Sequence, residues 1–239
     1  KSRVISDEER KLTAYHEAGH AVVMRSLPKS DPVHQITIIP RGSAGGFTMS
    51  LPEKDKAYET KKGMINAIKH LLGGRVAEQL ILDDISTGAS NDLERVTSIA
   101  KAMVTRYGFS EKLGNVVYGG APEQTFLGRD YTQGRGHSEA VANDIDAEVR
   151  RFVDEGYQRC MDILRTHEDK LHIVAKELME KEKINGKRFE YLMSDDYKPE
   201  EIAEEISEEI VTEISTEDME LVIPFENTEL SEETTEENN

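Results

Sequence analysis

The chain has 239 residues, 37% hydrophobic and 32% charged, with no Trp and one Cys, enough for one good-sized core and a small satellite. Its formal net charge of -17 sits mostly at one end, because residues 198–239 hold sixteen Asp and Glu against Lys198 alone. The body is nearly neutral and keeps no basic patch, which argues against nucleic acid as a partner; Cys160 alone allows no internal disulfide, and no apolar run reaches the length of a membrane span.

The first predicted element is a helix. Ser6 and Glu9 have capping-box spacing, Asp7, Glu8 and Glu9 suit the positive end of a helix dipole, and Leu27-Pro28 ends the run. Leu12, Ala18, Val22, Val23 and Leu27 give it an inward face. On this helix lies Tyr15-His16-Glu17-Ala18-Gly19-His20-Ala21. Two imidazoles four positions apart fall on one side of a helix, so one tetrahedral metal can take both. Glu17 points about a quarter turn away, too far to ligate and near enough to reach a metal-bound water. Two solvated histidines would give the same five-residue pattern, but the marked helix and Gly19 between the ligands favour a packed site.

After Pro28 the pattern alternates. Val33–Ile39 reads as a strand ending at Pro40, Gly42, Gly45 and Gly46 as a turn, and Phe47, Met49 and Leu51 as the alternate positions of a second, antiparallel strand. Two strands alone are marginal, so they must lean on the helices. Helical spacing returns from about Asp55 to Leu82, with Gly73-Gly74 inside its apolar stripe. Two helix-interior glycines cost on the order of 2 kcal/mol relative to alanine, which a close helix crossing would offset. Glu78, one turn on, reads either as an acceptor for a ligand imidazole N–H or as a solvated carboxylate.

Ile85–Glu94 reads as a turn entering a helix that runs to Tyr107 and closes at Gly108, with Asn91 and Glu94 at capping-box spacing. Asp92 suits the first turn on electrostatic grounds alone; a hydrolytic zinc site also commonly adds one carboxylate to two histidines and leaves a position open. Asn115–Gly136 reads as a glycine-rich surface loop. A long helix follows from Ser138 and Glu139 to Leu164, then helices over about Glu168–Glu180 and Lys187–Met193. Cys160 reads as an ordinary partly buried thiol, and His34, His137, His167 and His172 as non-ligands. From Tyr197 onward the chain is an acidic tail, with Ile202, Ile206, Ile210 and Ile214 spaced for a transient helix that like charges weaken, and Asn227–Asn239 reads as disordered. Residues 1–196 are therefore the folded domain and 197–239 the tail.

Together these stretches resemble the peptidase domain of the FtsH family, the membrane-anchored AAA+ zinc metalloproteases. The resemblance runs in order over roughly residues 5–194. It passes through His16-Glu17-Ala18-Gly19-His20, Ile36–Gly42, Leu51-Pro52-Glu53, Gly73-Gly74-Arg75 with Ala77-Glu78, Ser86–Leu93, Gly108–Gly114 and Phe126-Leu127-Gly128-Arg129. It implies a mainly α fold with a small antiparallel sheet, one Zn2+ per chain on His16, His20 and Asp92, and Glu17 as general base. It also implies a substrate-holding edge strand formed by Gly46, Phe47, Thr48, Met49, Ser50 and Leu51. The implied partners are unfolded polypeptides, five further copies in a homo-hexamer, and an AAA+ module and membrane anchor in the full-length protein, which places this domain on a cytoplasm-like side of a membrane. The phosphate-binding loop of the ATPase module does not occur in this sequence, so ATP would be used elsewhere. The chain begins with Lys1 and is expected to be a soluble piece of a longer protein. Two rivals remain at this level. One is a metal-stabilised oligomerisation module without catalysis, which would need four protein ligands. The other is an unrelated zinc peptidase acting alone, for which the Asp92 turn would be irrelevant.

Overall fold

The computed structural model describes residues 5–42, 45–52, 57–118 and 137–198. The chain divides into two units, Lys1–Asp195 and Asp196–Asn239. The expectations for the acidic tail beyond Lys198, and for the part of the glycine-rich loop from 119 to 136, lie outside the described residues.

The first unit is built around helix α1, Asp7–Ser26. Both halves of its capping box form: Ser6 Oγ accepts from the Glu9 amide at 3.2 Å and Glu9 Oε2 from the Ser6 amide at 3.3 Å. A single inward face is expected from the sequence, but every residue from Ala14 to Met24 is buried. The difference arises because α1 has neighbours on several sides: α2 (Lys61–Leu82), α5 (Glu168–Lys181) and the sheet. Its polar histidines and glutamate are thereby enclosed.

Helix α2 starts at Lys61, later than its periodicity suggests, because Thr60 Oγ1 caps the Gly63 amide at 3.0 Å. The glycine pair serves the expected crossing. A Cβ on Gly73 would lie 2.7 Å from the Gly19 carbonyl oxygen, and one on Gly19 2.6 Å from Ala77 Cβ, so the two backbones meet where no side chain fits. Helix α4, Glu139–Thr166, covers the other side of α2, with Ser138 as its cap. Cys160 is fully buried on α4, and burial pushes its thiol pKa up.

The sheet has three strands, one more than the alternation reveals. Strand β1 (Val33–Thr37) pairs antiparallel with β2 (Phe47–Ser50) on one side and with β3 (Lys183–Asn185) on the other. Three residues are too short for alternation to register. Strand β3 exists because Glu182, at φ 59°, turns the chain out of α5. Its carbonyl then accepts from the Ile38 amide at 2.9 Å and Thr37 Oγ1 at 3.0 Å. The order is β2-β1-β3, so among the described residues β2 is an open edge. Helix α6, Gly186–Met193, closes the unit by burying Phe189 and Leu192. No helix among the described residues is long and apolar enough to cross a membrane.

Helix α3, Ser90–Thr105, departs from its predicted ends. A 3-10 turn, Thr87–Ala89, precedes it, capped by Ser86, and no side chain caps α3 itself. The capping box expected at Asn91 and Glu94 therefore does not form, since helical geometry is already established at Ser90. The helix stops two residues before Tyr107, and Gly108 turns the chain at φ 61°.

Candidate metal centre

The buried half of α1 presents His16 and His20 toward the start of α3. Among the described residues, His16, His20 and Asp92 are the one group of three whose possible ligand atoms converge. His16 Nε2 lies 3.0 Å from His20 Nε2, and Asp92 Oδ2 is 3.4 Å from the first and 3.3 Å from the second. A regular tetrahedron of metal bonds about 2.0–2.1 Å long has edges of about 3.4 Å. The three atoms thus form one face of such a figure.

The hydrogen bonds behind the rings decide which nitrogens face inward. His16 Nδ1 lies 2.7 Å from Glu78 Oε1, and His20 Nδ1 lies 2.8 Å from the His70 carbonyl oxygen. A carbonyl oxygen accepts only, as does an ionised carboxylate, so both Nδ1 atoms carry the proton. In the neutral rings both Nε2 lone pairs then confront Asp92 Oδ2, an arrangement that repels itself unless a proton or a metal cation sits among the three atoms. The donor set, two imidazoles and one carboxylate, suits zinc.

The local charges agree. Burial alone would lower the His16 pKa, but the bonds to Asp92 and Glu78, with Glu17 nearby, carry it up to about 9. Burial opposes ionisation of Asp92, yet His16 and His20 hold it well below the ordinary carboxylate range. Glu78, fully buried, is likewise depressed against its own burial by His16 and Ser86. Glu17 differs: burial raises its pKa, and the histidines and a bond from Thr48 only partly offset that. The three converging groups therefore attract positive charge, while one carboxylate beside them is kept basic.

Strand β2 runs directly over that carboxylate. Thr48 Oγ1 lies 2.8 Å from Glu17 Oε2 and 3.0 Å from the Glu17 carbonyl oxygen. Gly46 allows this approach, since a Cβ there would meet the Thr37 carbonyl oxygen at 2.6 Å and Glu17 Cγ at 3.0 Å. Of the other residues in the expected substrate strand, Met49 and Leu51 are exposed and Phe47 lies against Arg41, whose guanidinium is 5.2 Å from the ring centre. Beyond Ser50 a cavity of about 320 Å³ opens, lined by Met24, Met64, Ala67, His70 and Ile99 together with Lys29, Asp31, Glu59 and Asn66.

His34 is exposed on β1, His172 meets Tyr15 Oη at 2.8 Å, and neither they nor His137 and His167 join the triad. His70 is absent from the sequence reading, though it shares a helical face with Gly73, Gly74 and Ala77 at intervals of three, four and seven, which is the signal that points to it. Its carbonyl orients His20, and burial lowers its ring to a pKa of about 4, so it adds no charge. Ser86 was likewise read only as part of a turn.

Comparison with known proteins adds to this picture. The family model described as Peptidase family M41 matches residues 3–192. The chain is 57% identical over 190 residues to "ATP-dependent zinc metalloprotease FtsH 1" of Thermoanaerobacter sp. (strain X514), covering 80% of this chain and 31% of that protein. It is 58% identical over 194 residues to "ATP-dependent zinc metalloprotease FtsH 2" of Alkaliphilus metalliredigens (strain QYMF), covering 81% and 28%. With "ATP-dependent zinc metalloprotease FtsH" of Caldicellulosiruptor bescii the identity is 52% over 200 residues, 84% and 32%. The chain thus spans about a third of the length of these relatives.

Proposed function

The chain belongs to peptidase family M41, and from that premise we propose that it hydrolyses peptide bonds with one zinc ion per chain, held by His16 Nε2, His20 Nε2 and Asp92 Oδ2. The fold is mainly α with a small antiparallel sheet, and the family match and its relatives' names make it a metalloprotease. The observation that carries the site reading is the convergence of three lone-pair donors, with both outer imidazole nitrogens already committed as donors.

When bound, zinc supplies an acidified water and a Lewis acid for the substrate carbonyl. Glu17, beside the triad, would serve as the base, taking up a proton on its carboxylate and giving it to the leaving amine, a task for which its burial-raised basicity is suited. Thr48 Oγ1 donates to Glu17 and holds it in place. Glu78 and the His70 carbonyl keep the two rings in the tautomer that leaves Nε2 free.

The substrate is an unfolded polypeptide that pairs with the open edge of β2, over Gly46–Leu51. Main-chain hydrogen bonds carry such pairing, so specificity is broad. A residue lying opposite Ser50 can place an apolar side chain against Met24, Met64 and Ala67 in that cavity, which Asp31, Glu59 and Asn66 also line. The relatives are named ATP-dependent, and the matched region is about a third of their length. We extend to this chain the corresponding assembly: a homo-hexamer fed by an AAA+ module that uses ATP, in a membrane-anchored protein.

The test is Glu17→Gln. It should keep one zinc per chain by metal analysis and lose casein cleavage; a variant that cleaves at the native rate would remove Glu17 from the role. Undiminished zinc in Asp92→Ala would contradict the ligand set.

A further inference from the structure

The structure assigns Ser86 as a positioning residue for the metal centre: its bidentate hold on Glu78 sets where Asp92 arrives against the two histidines. This rests on the ligand set proposed above.

Ser86 lies between α2 and α3, and each of its polar groups is engaged. Its amide donates to Glu78 Oε2 at 2.7 Å and its hydroxyl to Glu78 Oε1 at 3.1 Å. Its carbonyl oxygen accepts from Arg75 Nη1 at 3.1 Å, and its Oγ accepts from the Gly88 amide at 3.1 Å. Glu78 Oε1 also accepts a hydrogen bond from His16 Nδ1 at 2.7 Å. One carboxylate therefore orients the first histidine and anchors the start of the turn that ends in Asp92. Between the two, Ala89 is fully buried and pins the turn, and Asp92 then reaches back to Nε2 of the same His16. His16 is gripped at Nδ1 through Glu78 and faced at Nε2 by Asp92, and the chain joining those two contacts passes through Ser86.

The alternative is that Ser86 only caps the 3-10 turn. Capping needs an acceptor for the Gly88 amide, which Asp supplies as well as Ser. Bonding Glu78 Oε1 needs a side-chain donor, which Asp lacks, and its charge repels the carboxylate that the backbone amide still holds at Oε2. Ser86→Asp thus keeps the cap but loses the hydroxyl half of the latch and strains the amide half, Ser86→Ala loses the cap and the hydroxyl half, and Ser86→Thr keeps all three bonds.

The measurement is the zinc dissociation constant of the full chain by competition with a chromophoric chelator, together with the melting temperature of the metal-free protein. Residues that orient ligands are worth about 10–100-fold in affinity. We expect Ser86→Ala to weaken zinc about tenfold, Ser86→Asp more, and Ser86→Thr to stay within about twofold of native. Native affinity in both Ser86→Ala and Ser86→Asp would overturn the proposal, as would a lowered melting temperature without a change in affinity. If Ser86→Ala fails to fold, Ser86→Asp against Ser86→Thr decides. Asp92→Ala is run alongside. If it binds zinc as the native chain does, the ligand reading itself fails and takes this inference with it. If it is impaired while the Ser86 variants are native, only the positioning role falls.

Discussion

Replacing Gly74 by alanine separates the metal centre from the helix that carries it. In an ordinary helix interior the change gains about 1 kcal/mol from propensity. Here the new Cβ would sit 2.5 Å from His16 Cε1 and 2.5 Å from Nε2, roughly 1 Å inside ordinary contact. The ring can swing away, whereas the Gly19 backbone facing Gly73 cannot. A displacement of about 1 Å is several times the tolerance of about 0.2 Å on a metal bond. We therefore expect Gly74→Ala to lose at least 100-fold in zinc affinity, about 2.8 kcal/mol. Its metal-free stability should fall by no more than about 2 kcal/mol, because overpacking of about 1–3 kcal/mol is partly offset by propensity. Gly73→Ala should instead lower the metal-free melting temperature strongly, since the helices themselves must part. The assay is chelator competition and thermal unfolding with and without zinc. A Gly74→Ala protein that melts higher in both states and binds zinc at native strength would refute the reasoning.

Thr48→Val removes the hydrogen bond that favours ionised Glu17, so the Glu17 pKa should rise further and the acid limb of kcat/KM should move to higher pH; an unmoved limb would separate Thr48 from Glu17. Ala67→Phe should shrink the cavity beyond Ser50 and raise KM about tenfold or more for peptides with large apolar residues near the cleaved bond. Peptides carrying Ala there should be nearly unaffected, and equal effects on both would discount the cavity. Glu148, on α4, accepts from Ser110 Oγ at 2.6 Å and pairs with Arg151 at 2.8 Å, which, against burial, brings its pKa down to about 2. A depressed carboxylate stabilises the fold above its ordinary pKa of 4.5 and loses that contribution as pH falls toward 2. Glu148→Gln should cost on the order of 2 kcal/mol at neutral pH, discounted for the water around Arg151, and should flatten the urea-midpoint profile between those limits.

Particular residues show why the sequence went as far as it did. Ser6 and Glu9 cap a helix within one turn of themselves, so their meaning is local and readable. The same holds for His16 and His20, which a single helical turn places side by side. Gly73-Gly74 was legible as a cost that something must offset, and the crossing with Gly19 is that something. Strand β3 leaves no mark in the sequence because three residues carry no period, and the spacing of Asn91 and Glu94 forms no box because the preceding turn already supplies helical geometry.

The amino-acid sequence alone determined the helix that carries the histidine pair, the neighbouring acid, the paired strands and, through resemblance, the family to which these belong. Tertiary structure decided that Asp92 meets both imidazoles, that Glu78 is an enclosed acceptor and not a solvated carboxylate, that the His70 carbonyl fixes the second ring, and that Thr48 holds Glu17 from the edge strand. The reason is one of range. Periodicity and caps record interactions within a turn or two of chain, while His16 and Glu78 are 62 positions apart and meet only because two glycine-faced helices cross closely enough to bring them together.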